Sequence, residues 1–83
     1  MEAAYIMINC EMGKESSIID QLKPIKDIKE IHSIYGNYDI IAKLECASVE
    51  CMRDIIVKQI RVLKDVHCTT TVICTKPSRT DED

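Results

Sequence analysis

Residues 3–10, AAYIMINC, are apolar at both parities, as a strand is when both faces of its sheet are covered. A central strand is predicted there. Glu11-Met12-Gly13 breaks the pattern, and Lys14 to Lys23 carries Ile18, Ile19 and Leu22 at helical spacing before Pro24 stops it. Ile28 to Tyr35 (IKEIHSIY) sets β-branched residues at mixed parity among charges, which predicts an edge strand. Gly36 ends it, and Tyr38 to Glu45 resumes strand patterning after two to three residues that tolerate positive φ. The pair therefore reads as a β-hairpin turning at Gly36-Asn37. Ser48 is a good N-cap, Glu50 suits the first-turn dipole, and Met52, Ile55, Ile56, Gln59, Ile60 and Leu63 share one helical stripe. This predicts a second helix from Val49 to Lys64, and Val66 to Thr75 (VHCTTTVICT) then supplies a fourth strand.

The order β-α-β-β-α-β, with right-handed crossovers, implies an α+β fold of the ferredoxin-like, dimeric α+β barrel type. Its antiparallel four-stranded sheet would run 4-1-3-2 with both helices on one face. One domain is expected over residues 1–76, followed by a disordered acidic tail over 77–83 (PSRTDED). Two helices leave the other sheet face bare, with either Tyr5 and Met7 or Ala4, Ile6 and Ile8 on it, depending on parity. Burying several such side chains contributes about 1.5 to 3 kcal/mol each. A homodimer closing sheet against sheet is expected.

Composition narrows the function. The chain has 83 residues, of which 46% are hydrophobic, but it has no Trp or Phe and only three Tyr, so the core must be aliphatic. Eleven basic residues are scattered against fourteen acidic ones for a net charge of -3, whereas nucleic-acid binding needs a concentrated basic surface. No direct nucleic-acid partner is expected. Glu2 stands where a signal peptide would be basic, and no apolar run approaches the roughly 20 residues of a membrane span. A cytoplasmic protein with free thiols at Cys10, Cys46, Cys51, Cys68 and Cys74 is the expectation.

Catalytic signatures such as a phosphate loop, G-x-S-x-G or H-E-x-x-H are missing, and neither His32 nor His67 comes with a recognisable nucleophile or partner carboxylate nearby. The chain does not read as an enzyme, although a small ferredoxin-like enzyme remains one reading of the fold. A metal- or redox-responsive sensor built from His32, His67 and Cys68 is a second. Adjacent strand residues face opposite ways and the two histidines belong to opposite sheet edges, so such a site would have to cross subunits. Cys46 and Cys51 flank Ser48 at the second helix's start, where a thiolate would meet the helix dipole. At the hairpin turn, Asp39 places a carboxylate where an amine or N–H donors can meet it, and Gly36 allows close approach to the backbone. The plainer reading is an Asx-type turn residue beside ordinary strand-forming threonines.

Gly36-x-Tyr38-Asp39-Ile40-Ile41-Ala42, followed by a helix and then Val66-x-x-Thr69-x-Thr71-x-Ile73, resembles the effector-binding (RAM) module of the Lrp/AsnC transcription regulators. The resemblance runs from about Ala3 to Lys76. It implies a sheet-to-sheet dimer, assembly into octamer-type rings, and binding of a small amino-acid-like effector between dimers, with no cofactor. Carried over, Gly36, Asn37, Tyr38 and Asp39 would lie at the effector, Asp39 meeting its ammonium and the Gly36-Asn37 backbone its carboxylate. Thr69 and Thr71 would add contacts. The sequence begins almost at the first strand, which is similar to the stand-alone members that lack a helix-turn-helix domain and implies assembly with full-length relatives. Asp65 replaces the Gly usual before the last strand.

Overall fold

The computed structural model describes residues 1–74; the predicted acidic tail, 77–83, lies outside them. Strands β1 (Glu2–Cys10), β2 (Ile28–Ser33), β3 (Ile40–Cys46) and β4 (Val66–Cys74) form one sheet in the order β2-β3-β1-β4, and every adjacent pair is antiparallel. Helix α1 (Glu15–Leu22) follows β1 and helix α2 (Val49–Ile55) follows β3. Each crossover therefore joins two parallel strands with a third between them, and the two split units interleave to make the predicted ferredoxin-like α+β fold.

The alternation of the two central strands decides where the core lies. Ala4, Ile6, Ile8 and Cys10 of β1 and Ile40, Ala42, Leu44 and Cys46 of β3 are buried under the helices. Ile18 and Leu22 of α1 meet them, as do Met52 and Ile55 of α2 and Ile56 and Ile60 just beyond it. The opposite parity puts Tyr5, Met7, Ile41 and Lys43 on the uncovered face, half-buried within the single chain.

Two bulges explain the apolar spacings that alternation alone does not. In β2, Ile28 pairs with Leu44 and Glu30 with Lys43, so Lys29 is the extra residue. Ile28 and Ile31, three apart, consequently both face the core. In β4, Asn9 pairs with Cys68 and Cys10 with Val66, which leaves His67 as the extra residue and puts Val66 and Thr69 on the same face. The mixed parity of both edge strands is thus a property of their register.

Two segments differ in extent from the sequence expectations. The β2–β3 connection is not a two- to three-residue turn but spans residues 34–39, with Ile34 N–H donating to the Asp39 carbonyl at 2.9 Å. Asp39 is instead drawn toward β1, its N–H donating to the Ile8 carbonyl at 3.0 Å. The second helix does not run as α-helix to Lys64: Ile56–Ile60 forms a π turn, closed by Arg61 N–H to the Ile56 carbonyl at 2.8 Å. Gln59, expected on the apolar stripe, is exposed. The N-cap is as predicted, with Ser48 Oγ accepting from Cys51 N–H at 3.1 Å.

Ile6 is fully buried at the centre of the sheet and in the core, so Ile6→Ala should lower unfolding free energy by about 2 to 5 kcal/mol. Urea denaturation followed by circular dichroism measures it, and a loss below about 1 kcal/mol would contradict this packing.

Candidate functional site

At one end of the sheet, the last residue of β1 meets the turn before β3. Asp39 Oδ2 accepts a hydrogen bond from the Cys10 backbone N–H at 2.9 Å. The carboxylate thus satisfies a partly buried donor, meeting an N–H as expected of it, with the central strand β1 as the partner. Asp39 is half-buried and lines a cleft of about 380 Å³ together with Glu15, Ser33, Ile34 and Tyr35. Two carboxylates therefore face one cleft, Glu15 from the first turn of α1 and Asp39 from the turn before β3. Their field is felt by Cys10, whose thiol is pushed up to about 11, first by burial, then by Asp39 and Glu15, with Asp65 contributing least. The electrostatics of this corner favour a cation.

The remaining predicted residues lie around this corner in different ways. Gly36 and Asn37 form the exposed tip of the turn. Gly36 has φ +128°, a value that side chains rarely adopt, yet a Cβ there would meet nothing within 4 Å. The glycine answers to backbone geometry and leaves open space beside the chain. Tyr38 crosses to β4, where its hydroxyl lies 2.9 Å from Thr70 Oγ1, so Thr70 and not Thr69 or Thr71 is its partner. Thr69 and Thr71 pair with Ile8 and Ile6 and share their helix-facing side of the sheet. Thr69 Oγ1 accepts from Arg61 Nε at 3.2 Å, while Thr71 lines a groove of about 300 Å³ with Met52, Arg53, Ile56, Val57 and Arg61. Within one chain, Asp39 and these two threonines do not converge on a single cleft. Glu15, absent from the predicted set, does converge with Asp39. Nothing in the sequence pattern singled it out.

His32 and His67 sit on opposite edge strands, β2 and β4, roughly 14 Å apart at three strand spacings. His32 Nε2 lies 3.3 Å from Glu30 and His67 Nε2 lies 3.0 Å from Glu11. The β4 bulge brings His67 and Cys68 to the rim of the same cleft, of about 370 Å³. Cys68 is exposed, whereas Cys10 is buried and packs as a small apolar residue.

The model of the Lrp/AsnC ligand binding domain matches residues 3–82. The chain belongs to this family. An uncharacterised HTH-type transcriptional regulator of Pyrococcus furiosus is 27% identical over 73 residues, covering 84% of this chain and 49% of the regulator. The chain spans about half the length of that curated relative. A hypothetical protein from Pyrococcus horikoshii superposes with a TM-score of 0.86 at 28% identity, covering 94% of each chain. A feast or famine regulatory protein from M. tuberculosis, solved in complex with L-methionine, superposes with a TM-score of 0.80 over 100% of this chain and 56% of its own. At 18% identity that last likeness is one of fold. The Lrp/AsnC domain thus places Gly36, Tyr38 and Asp39 in a connection longer than a tight hairpin and ties Asp39 to the central strand.

Two substitutions separate the roles of Asp39. Asp39→Ala leaves the Cys10 N–H without its acceptor and should cost about 1 to 3 kcal/mol. Asp39→Asn keeps an oxygen in place and should cost about 1 kcal/mol or less. Paired urea titrations check this, and equal losses in the two variants would show that the hydrogen bond does not carry the carboxylate's structural role.

Proposed function

We propose that this Lrp/AsnC domain is an effector-binding regulatory module for a small amino-acid-like ligand, and that it works through oligomerisation and not through catalysis. The observation that carries the proposal is the pair of carboxylates, Asp39 and Glu15, lining one cleft beside an open glycine turn. Asp39 commits Oδ2 to the Cys10 N–H. Its other oxygen is left to receive an ammonium group, with Glu15 as a second acceptor. The backbone of Gly36 and Asn37 meets the ligand's carboxylate. Methionine in the complex of the M. tuberculosis regulator supports the amino-acid class. Thr69 and Thr71 contribute from a neighbouring subunit, because in their own chain they lie on the helix-facing side of β4.

The uncovered sheet face supports a homodimer. Tyr5, Met7 and Ile41 are only half-buried in the chain, and Val72 on the edge strand is 49% exposed. They form a patch that a second copy would cover. Dimers then assemble further, into an octamer-type ring, and with full-length relatives in the cytoplasm. Among the described residues no helix is long and apolar enough to cross a membrane.

Isothermal titration across the twenty amino acids should find at least one binder, and Asp39→Asn should weaken it roughly tenfold or more while the fold persists, since it removes the charge and keeps the hydrogen bond. A binder indifferent to Asp39→Asn would remove the site from this cleft. Static light scattering should report a dimer or larger species for the native chain, and Met7→Glu, which puts a charge on the uncovered face, should yield folded monomers. A native monomer at micromolar concentration would reject the face-to-face dimer.

A further inference from the structure

At the far end of β3 from Asp39, three groups from three elements come together. Cys46 is the last residue of β3, Cys51 lies in the first turn of α2, and Asp27 sits just before β2. One ligand atom from each, two Sγ and a carboxylate oxygen, lies within 4.8 Å of the others. Cys46 is buried, 3% exposed, and its thiol donates to Asp27 Oδ2 at 3.9 Å. Asp27 and Cys51 are half-buried, so the cluster opens to solvent on one side.

Each arm is anchored through its backbone. Glu45 N–H donates to the Asp27 carbonyl at 2.9 Å, which fixes the β2 approach against the end of β3. Ser48 Oγ accepts from Cys51 N–H at 3.1 Å, which fixes how the chain turns from Cys46 back to Cys51. The arrangement belongs to the folded main chain and does not rely on surface side chains finding one another.

We propose that Asp27, Cys46 and Cys51 form a binding site for one thiophilic d¹⁰ metal ion, zinc(II) in the first instance. Cys46 and Cys51 stand in the C-x₄-C spacing of zinc-thiolate sites. Two sulfurs and one carboxylate oxygen suit a borderline-soft tetrahedral ion and disfavour magnesium or calcium, which take oxygen ligands. Zinc–sulfur bonds of about 2.3 Å and zinc–oxygen bonds of about 2.0 to 2.2 Å imply tetrahedral ligand separations of roughly 3.5 to 3.8 Å. The donors, within 4.8 Å of one another, have about 1 Å to close. On binding, each thiol releases its proton to solvent as its sulfur bonds the metal, Asp27 binds as carboxylate, and a water completes the fourth position. The metal would tie three segments at one end of the domain, roughly 20 Å along β3 from the effector cleft at about 3.3 Å per residue. The site is independent of the effector reading.

The test is titration of the full, phosphine-reduced chain with zinc(II), and with cobalt(II) as a spectroscopic probe. The expected result is one equivalent per chain, with an intense thiolate-to-cobalt charge-transfer band and tetrahedral visible absorption. Both should vanish in Cys51→Ser and Cys46→Ser, and Asp27→Asn should weaken zinc roughly tenfold or more. Because Cys46 is buried and its variant can fail to fold, the half-buried Cys51→Ser decides the matter. Cys68→Ser and His67→Ala should bind as the native chain does. Absence of a thiolate band, stoichiometric binding that survives Cys51→Ser, or loss on Cys68→Ser or His67→Ala would each overturn the site, the last by moving it to the β4 edge.

Discussion

Two short helices are enough to cover one face of a four-stranded sheet, and the rest of this molecule follows from that limit. The helices set against β1 and β3 take the even-numbered residues of both strands into a core of isoleucine, leucine, alanine and cysteine. The odd-numbered residues Tyr5, Met7 and Ile41 are left over. A chain of this size buries only about 60% of the surface that its unfolded state exposes, so an aliphatic second face is a large fraction of what stabilisation is available. A second copy packed on that face would supply it, which is the physical basis of the proposed dimer.

The same limit separates the functional elements. What lies under the helices is closed by packing, and the candidate sites are found at the two ends of the sheet, where strands hand over to turns. At one end stand Asp39, Glu15 and the buried Cys10 thiol, with local charge that favours a cation. At the other stand Asp27, Cys46 and Cys51, where the Cys46 thiol is pushed up to about 12, first by burial and then by Cys51 and Asp27. Both ends join a strand terminus to the approach or start of another element, and in both a backbone hydrogen bond holds the acidic residue in place.

Because β1 is apolar at both parities, the side of it that meets the core was left open, but element order and strand order were legible from the helical periods and the turn signals between elements. So was the bare face, since no third helix was available to cover it. The edge strands were harder, because bulges at Lys29 and His67, each the second residue of its strand, shift the register and put Ile28 and Val66 out of phase with a strict two-residue period. The length of the turn before β3 was missed for a related reason. Gly36 and Asn37 signal a tight hairpin, but Asp39 is captured by β1, a partner distant in sequence, and the hairpin opens around that capture. Glu15 and Asp27 carried no signal of their own, because convergence across elements is a tertiary property. The C-x₄-C pair was visible, but the carboxylate beside it was not.

The hydrogen bond between Asp39 and Cys10 runs from a side chain to a main-chain N–H, and this makes its demands lopsided. Position 10 supplies the same donor whatever residue stands there, proline excepted, so it is free to drift among small apolar residues. Position 39 has no such latitude, because only a short side chain ending in an acceptor reaches that donor. Across a lineage, position 39 should therefore stay a short acceptor, Asp or Asn, while its apparent partner wanders, even where no ligand is bound.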